Sequence, residues 1–231
     1  DLILKVGRPV VVDLGYGASP ITAIELQDRL SRVNPEVQVV GIEIEKDRVT
    51  RGKEVERPGL NFMLGGFETP LPAGMANADV IRAFNVLRQY DERDVPAAWK
   101  LMTSRLSDQG VLVEGTCDEI GRLSTWITLT KEGPKLFTIS LHLGSLEQPS
   151  KVAERLPKAL IHHNVPGERI HEFLSALDRA WATHAPLSTF GAVQRWLALC
   201  EEMVATGWPI LVNRKRWRLG EITVAWDAVK P

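Results

Sequence analysis

Two acidic residues, each at the end of an apolar run, are the side chains best placed for ligand chemistry. Asp13 ends the run Val10–Val12 and precedes the glycine turn Gly15-Tyr16-Gly17. Glu43, 26 residues beyond Gly17, ends a second apolar run. The glycines allow a sharp turn and a close backbone approach to a ligand, and a carboxylate at a strand tip can accept hydrogen bonds from two ribose hydroxyls. The pattern predicts a site for a ligand that contains a nucleoside.

Two details of the sequence distinguish between the candidate ligands, a dinucleotide and S-adenosylmethionine (SAM). The dinucleotide fingerprint has a third glycine for close packing of helix and strand, but Pro20 occupies that place here. Asp13 puts a carboxylate directly before the turn, where it would repel a pyrophosphate but attract an ammonium or a sulfonium group. The local chemistry therefore favours SAM over a dinucleotide.

Alternating strands and helices are predicted to position these residues. Val10–Leu14 reads as a buried strand, and Ser19 and Pro20 begin an amphipathic helix. Further strands are predicted at 37–44, 61–64, 79–84 and 110–115, with helices at 49–57 and 95–106. The alternation predicts an α/β fold, a doubly wound, mostly parallel seven-stranded sheet with helices on both faces.

The pattern changes after residue 115. The segments 124–130 and 135–143 flank Lys131-Glu132-Gly133-Pro134 and read as a hairpin, and a helix follows that carries Ile170 to Trp181. The stretch 188–226 is interpreted as the last helix and the terminal strand pair. We therefore predict one domain over 1–231, with an insertion at 117–187 that caps the substrate.

Four segments resemble the class I SAM-dependent methyltransferases. They are V-V-D-L-G-Y-G-A-S-P (11–20), V-V-G-I-E-I-E (39–45), A-D-V-I-R-A-F-N-V-L (78–87) and G-V-L-V-E-G-T (110–116). The resemblance implies that the loop from Asp13 through Gly15, Tyr16 and Gly17 lines the methionine end of SAM and that Glu43 holds the ribose. It also implies that Ile44 packs on adenine and that Asn85 lies beside the methionine moiety.

The sequence departs from the family after the third strand. Many members carry an acid there that meets the adenine amino group, whereas this chain has Leu64-Gly65-Gly66-Phe67. Phe67 could stack on adenine or present its backbone, with Gly66 beside it. Phe84-Asn85-Val86-Leu87 replaces the Asn/Asp-Pro-Pro-aromatic motif of enzymes that methylate nucleobase amines, so a small-molecule acceptor is favoured.

Two charged residues in strand patterns have both a structural and a functional interpretation. Arg82 could bind an acidic substrate group, or pair with a structural acid such as Glu114 or Asp79, since buried arginines are usually paired. Glu114 lies near the tip of the fifth strand, where ligands bind in open sheets, and could contact substrate or end a strand at the surface. No catalytic residue stands out.

Composition limits the partners. The net charge is -1 and no apolar run is long enough to span a bilayer, so nucleic acid and membranes are not expected. The basic segment Arg214–Arg218, with its embedded tryptophan, is the one feature that suggests RNA. Two distant cysteines favour a reducing, cytoplasmic compartment, and His162, His163 and His171 lack the geometry of a metal site. The tryptophans beyond residue 180 are expected to pack the C-terminal helices or a homodimer face.

The leading hypothesis is a SAM-dependent methyltransferase that acts on a small molecule. The alternative is a methyltransferase-like interaction module that binds SAM weakly or not at all. Gly66 in place of an acid, and the lack of an evident base, motivate that alternative. A dehydrogenase is a third hypothesis, because NAD and SAM share adenosine.

Overall fold

The computed structural model describes residues 2–231, and the chain divides into two compact units. The first unit comprises the chain up to Glu114 together with Leu129–Gly133. The second comprises Gly115–Thr128 and Pro134–Pro231. No helix within residues 2–231 is both long and apolar enough to cross a membrane.

The first unit begins with the alternation that the sequence predicts. Its helices are α1 (Leu2–Lys5), α2 (Ile21–Ser31), α3 (Lys46–Lys53) and α4 (Val95–Ser104). Its strands are β1 (Val10–Leu14), β2 (Gln38–Glu43), β3 (Leu60–Leu64) and β4 (Ala78–Phe84), followed by most of β5 (Leu106–Cys117). Helix α2 starts one residue later than expected, with Pro20 as its N-cap and no side-chain cap.

The second unit contains three strands and four helices among its described residues. The strands are β6 (Leu123–Thr130), β7 (Gly133–Leu141) and β8 (Glu221–Ala225), of which β6 and β7 have a few residues in the first unit. The helices are α5 (Lys158–Ile161), α6 (Arg169–Thr183), α7 (Ala192–Ala205) and α8 (Arg214–Trp217). The apolar face predicted for α6 is buried along its whole length, from Ile170 to Trp181.

The strands form one mixed sheet in the order β3-β2-β1-β4-β5-β6-β7-β8. Strands β3, β2, β1 and β4 pair in parallel, whereas β7 and β8 pair antiparallel. The predicted α/β class is correct, but the prediction of seven strands is wrong. The hairpin β6–β7, which we expected in an insertion, takes part in the sheet; pairing it there covers strand edges that would otherwise be exposed.

One strand of the terminal pair that we predicted within 188–226, the one expected at Ile210–Asn213, is absent from the described residues. Ile210 forms one isolated bridge to Val224, and the Leu211 amide donates to the Thr223 carbonyl. Pro209 directly precedes this segment and has no N–H to donate to a ladder. The segment therefore follows β8 for two residues without becoming a strand.

The inner strands of the first unit carry its core. Every residue of β1 and β2 is buried, as is typical of inner parallel strands. Val11, Val39 and Phe62 belong to one buried cluster that also contains Ala23 of α2. Because β1 lies between β2 and β4, the chain leaves β1 toward one side of the sheet and returns on the other. Such a switch point is where open α/β sheets bind ligands, beyond the carboxyl ends of the strands.

Candidate functional site

The glycine loop directly after β1 has the backbone conformation that its sequence requires. Gly15 and Gly17 have φ values of 69° and 86°, a region that is unfavourable for residues with a side chain. The Gly15 amide donates to the Ile42 carbonyl at 2.8 Å, which fastens the loop to β2. A Cβ atom on Gly15 would lie 2.6 Å from Cγ2 of Val86, so the loop after β4 reaches the same place.

Glu43 connects the tip of β2 to this loop. Its side chain is almost fully buried, and its carboxylate accepts the Gly17 amide at 3.1 Å and the Ile44 amide at 2.9 Å. The Arg48 guanidinium is 3.6 Å from Oε2 of Glu43. Each carboxylate oxygen has two lone pairs, so each retains acceptor capacity beyond its amide bond. The structure thus brings together the two parts of the chain that the sequence singled out.

Asp13 lies fully buried beneath the loop. Its two oxygens accept hydrogen bonds from Arg82 Nη1 at 2.6 Å and from the Thr22 hydroxyl at 2.9 Å. Arg82 has a structural pairing, one of the two alternatives that the sequence left open, but its partner is Asp13 and not Glu114 or Asp79. The positive charge of Arg82 offsets the negative charge of Asp13. Our argument that Asp13 attracts SAM and repels a pyrophosphate assumed that this charge was unpaired. Asp13 therefore positions Arg82 and the first turn of α2 and exposes no surface to a ligand.

Asp79 and Glu114, the two acids we had considered as partners of Arg82, have other surroundings. Asp79 accepts the Val10 amide at 2.9 Å and the Ser107 hydroxyl at 2.7 Å, and so ties the starts of strands together. Glu114 is fully buried, and burial raises the pKa of its carboxyl to about 8, while the Trp99 indole acts in the opposite direction. Glu114 therefore exposes no surface to an acceptor in this structure.

The loop after β3 is close to the exposed side chain of Ile44. Ile44 is 64% exposed, and a Cβ atom on Gly66 would be 3.6 Å from its Cγ2. The Phe67 ring lies 5.1 Å from that of Tyr90. These residues offer apolar surface at the strand ends that could pack against a flat base.

An acid that our sequence comparison missed also belongs to this loop. Glu68 Oε1 accepts the Gly66 amide at 2.9 Å. We had looked for the acid directly after β3, whereas Glu68 follows two glycines and Phe67. The tight turn that these glycines permit brings its carboxylate back beside Gly66, and only the folded loop reveals that approach.

Asn85 and Tyr16, both predicted to bind cofactor, have distinct settings. Asn85 directly follows β4 and has a φ of 61°, a conformation rare outside glycine and often found at functional sites. The Tyr16 side chain is buried; its hydroxyl donates to the Arg48 carbonyl at 3.0 Å and its ring meets Phe62 edge-on. Burial, aided by the charge of Glu43, raises the pKa of Tyr16 to about 12. Only its backbone is available to a ligand.

The features that suggested other ligands have structural roles. Residues 2–231 hold no group of three or more His, Cys, Asp or Glu side chains that could bind a metal ion. In the basic segment, Arg214 pairs with Glu201 and Arg216 with Glu221, and Trp217 is buried. A buried indole cannot stack on a base, so the segment lacks the feature that suggested RNA.

The glycine loop gives a testable prediction about stability. Gly17→Ala adds only backbone strain, about 1–2 kcal/mol, because no atom lies within 4 Å of its Cβ position. Gly15→Ala adds the clash with Val86 and is expected to cost roughly 2–4 kcal/mol in total. Urea unfolding of both variants measures the difference. Gly7→Ala, which meets neither obstacle, serves as the control and should leave stability unchanged.

The clash itself can be tested separately. Val86→Ala in the Gly15→Ala background should recover the steric part of the loss and leave the backbone part. Equal destabilisation by Gly15→Ala and Gly17→Ala would contradict the close approach of the two loops.

No protein-family model matches the chain, and no curated protein matches it. Solved structures that are similar include the CMeT domain of the citrinin polyketide synthase, at 17% identity and a TM-score of 0.40, over 48% of this chain and 29% of that one. The plantazolicin methyltransferase BamL, in complex with a triazolic desmethylPZN analog and SAH, is 18% identical with a TM-score of 0.40. The match covers 51% of this chain and 42% of BamL. A protein described as a pericyclic reaction enzyme is 16% identical with a TM-score of 0.40, and the match covers 49% of this chain and 28% of that protein.

The chain thus spans less than half the length of each of these proteins. They include methyltransferases, the family that the sequence motifs resemble. At these TM-scores the likeness carries no argument about the reaction, which must come from the site residues.

Proposed function

We propose that this chain binds SAM at the carboxyl ends of β1 to β4 and transfers its methyl group to a small molecule. The hydrogen bond between the Gly17 amide and Glu43 carries the proposal, because it joins a glycine loop to a carboxylate that retains acceptor capacity. The residues present fit the cofactor: Glu43 would accept from the ribose hydroxyls, and Ile44 and Phe67 would flank the adenine.

The chain's contribution to the reaction is positioning. SAM supplies an activated sulfonium methyl group when it is bound. The glycine loop would let the backbone approach the cofactor closely, and Asn85 would lie beside its methionine portion. Holding two reactants in line can supply much of a rate enhancement without proton transfer.

A specific observation favours the second candidate, an interaction module with weak SAM binding. The Glu43 carboxylate is already engaged by two backbone amides and lies near Arg48. A carboxylate that already accepts two amide hydrogen bonds gains less binding free energy from a ribose, so the affinity for SAM would be lower. The two candidates differ in whether a methyl group is transferred.

An assay with radiolabelled methyl groups distinguishes them. The purified protein is incubated with labelled SAM and a small-molecule fraction of cell extract. We expect label in a metabolite, and a Glu43→Ala variant should produce none above background. Binding of SAM without transfer to any fraction would support the module and overturn the enzyme.

A further inference from the structure

Arg82 has a fixed position beside the glycine loop. It lies in β4 directly opposite Asp13 in β1, and its Nη1 donates to Oδ1 of Asp13 at 2.6 Å. Its guanidinium carbon lies 4.7 Å from the centre of the Phe84 ring. A hydrogen bond at one edge and an aromatic ring against the group together restrain the plane of the guanidinium.

The other edge of this guanidinium is open. Within residues 2–231, Asp13 and Phe84 are the partners of Arg82, so Nε and Nη2 donate to no protein group. The side chain is 35% exposed, whereas that of Asp13 has no exposed surface. A ligand can therefore reach Arg82 but not the acid that holds it. Two adjacent N–H donors of a guanidinium match the two oxygens of a carboxylate.

The order of the strands relates Arg82 to the proposed ribose site. Glu43 ends β2 on one side of β1, and Arg82 lies in β4 on the other side. Neighbouring strands are about 4.8 Å apart, so β2 and β4 are separated by roughly 10 Å. An amino-acid chain attached to a ribose at Glu43 could cross β1 over that distance. The first turn of α2, which supplies Thr22 to Asp13, contains no acidic residue that would compete for Arg82.

We propose that Arg82 binds the carboxylate of the methionine portion of the cofactor and makes the site selective for S-adenosyl amino acids. This inference rests on the proposed function, since it assigns one end of the same ligand. Asp13 acts through Arg82 as a positioning residue: it fixes one edge of the guanidinium and leaves the other for the carboxylate.

Two nucleosides test this assignment. S-adenosylhomocysteine (SAH) carries the carboxylate, whereas 5'-methylthioadenosine shares the adenosine and the sulfur but lacks the amino-acid group. Arg82→Lys keeps a positive charge beside Asp13 and removes the two-pronged geometry. We expect calorimetry to show SAH affinity about 10- to 100-fold weaker in this variant, with methylthioadenosine affinity within about 2-fold of wild type.

A second variant protects the test against misfolding. Asp13→Asn combined with Arg82→Gln removes both charges, so no unpaired buried charge remains, and it should show the same selective loss. Arg29→Gln removes an exposed charge that pairs with Glu25 and is the control for net charge. Equal losses for both nucleosides, or no loss for either, would overturn the role of Arg82 alone. Failure of the folded wild type to bind either nucleoside would overturn the proposed function and this inference with it.

Discussion

Replacing Glu43 with alanine is expected to weaken SAH binding by about 100-fold or more, the largest functional effect we expect of any single substitution. Two hydrogen bonds from ribose hydroxyls to a carboxylate would be lost, and bonds to charged groups contribute roughly 1.5–3 kcal/mol each. The Gly17 and Ile44 amides would also lose their acceptor, which loosens the loop. Calorimetric titration with SAH measures the loss.

The pattern across ligands distinguishes this effect from that of Arg82. Because the ribose is common to SAH and methylthioadenosine, Glu43→Ala should weaken both by a similar factor. Glu43→Gln retains one acceptor oxygen and should lose less, on the order of 10-fold. Circular dichroism and the thermal midpoint verify that each variant is folded. Unchanged SAH affinity in folded Glu43→Ala would refute the ribose assignment.

Replacing Glu114 with glutamine is expected to stabilise the protein at pH 8 by a few kcal/mol. Burial raises the pKa of this carboxyl from 4.5 to about 8 in the folded chain. The folded state therefore holds a proton that the unfolded state has lost, and the wild-type free energy of unfolding falls as pH rises between these values. The slope is at most roughly 1.4 kcal/mol per pH unit for one group. Glutamine does not titrate, so the free energy of unfolding of the variant does not fall with pH for this reason.

Urea unfolding at pH 5 and pH 8 tests the prediction. The difference in stability between Glu114→Gln and wild type should be small at pH 5 and reach its maximum near pH 8. Asp108→Asn, an exposed position on the same strand where a hydrogen bond from Lys131 lowers the pKa, is the matched control. It should show no dependence on pH over this range. A constant difference for Glu114→Gln would mean that Glu114 does not hold a proton in the folded state.

Short-range patterns predicted which segments of the candidate site lie close together. The glycine loop and Glu43 each end an apolar run, and the carboxyl ends of parallel strands meet at one edge of a sheet. The spacing therefore predicted that the glycine loop and Glu43 lie close together, and the hydrogen bond from the Gly17 amide to Glu43 shows that they do. Gly15 was predictable for a similar reason, because its turn requires a positive φ.

Other features depend on contacts that no local pattern encodes. Asp13 and Arg82 are 69 residues apart and meet through the register of β1 and β4. The predicted attraction of Asp13 for a cationic ligand was therefore incomplete, since its charge is already paired. Likewise, a hairpin has the same sequence pattern whether it extends a sheet or lies outside it. The position of β6 and β7 in the sheet follows from long-range pairing.

The most direct test of the central claim is calorimetric titration of SAH into the folded wild-type protein. The account predicts saturable binding at one site per chain, lost in Glu43→Ala, and no comparable binding of NADH. Absence of SAH binding by protein that unfolds cooperatively, or tighter binding of NADH than of SAH, would contradict it.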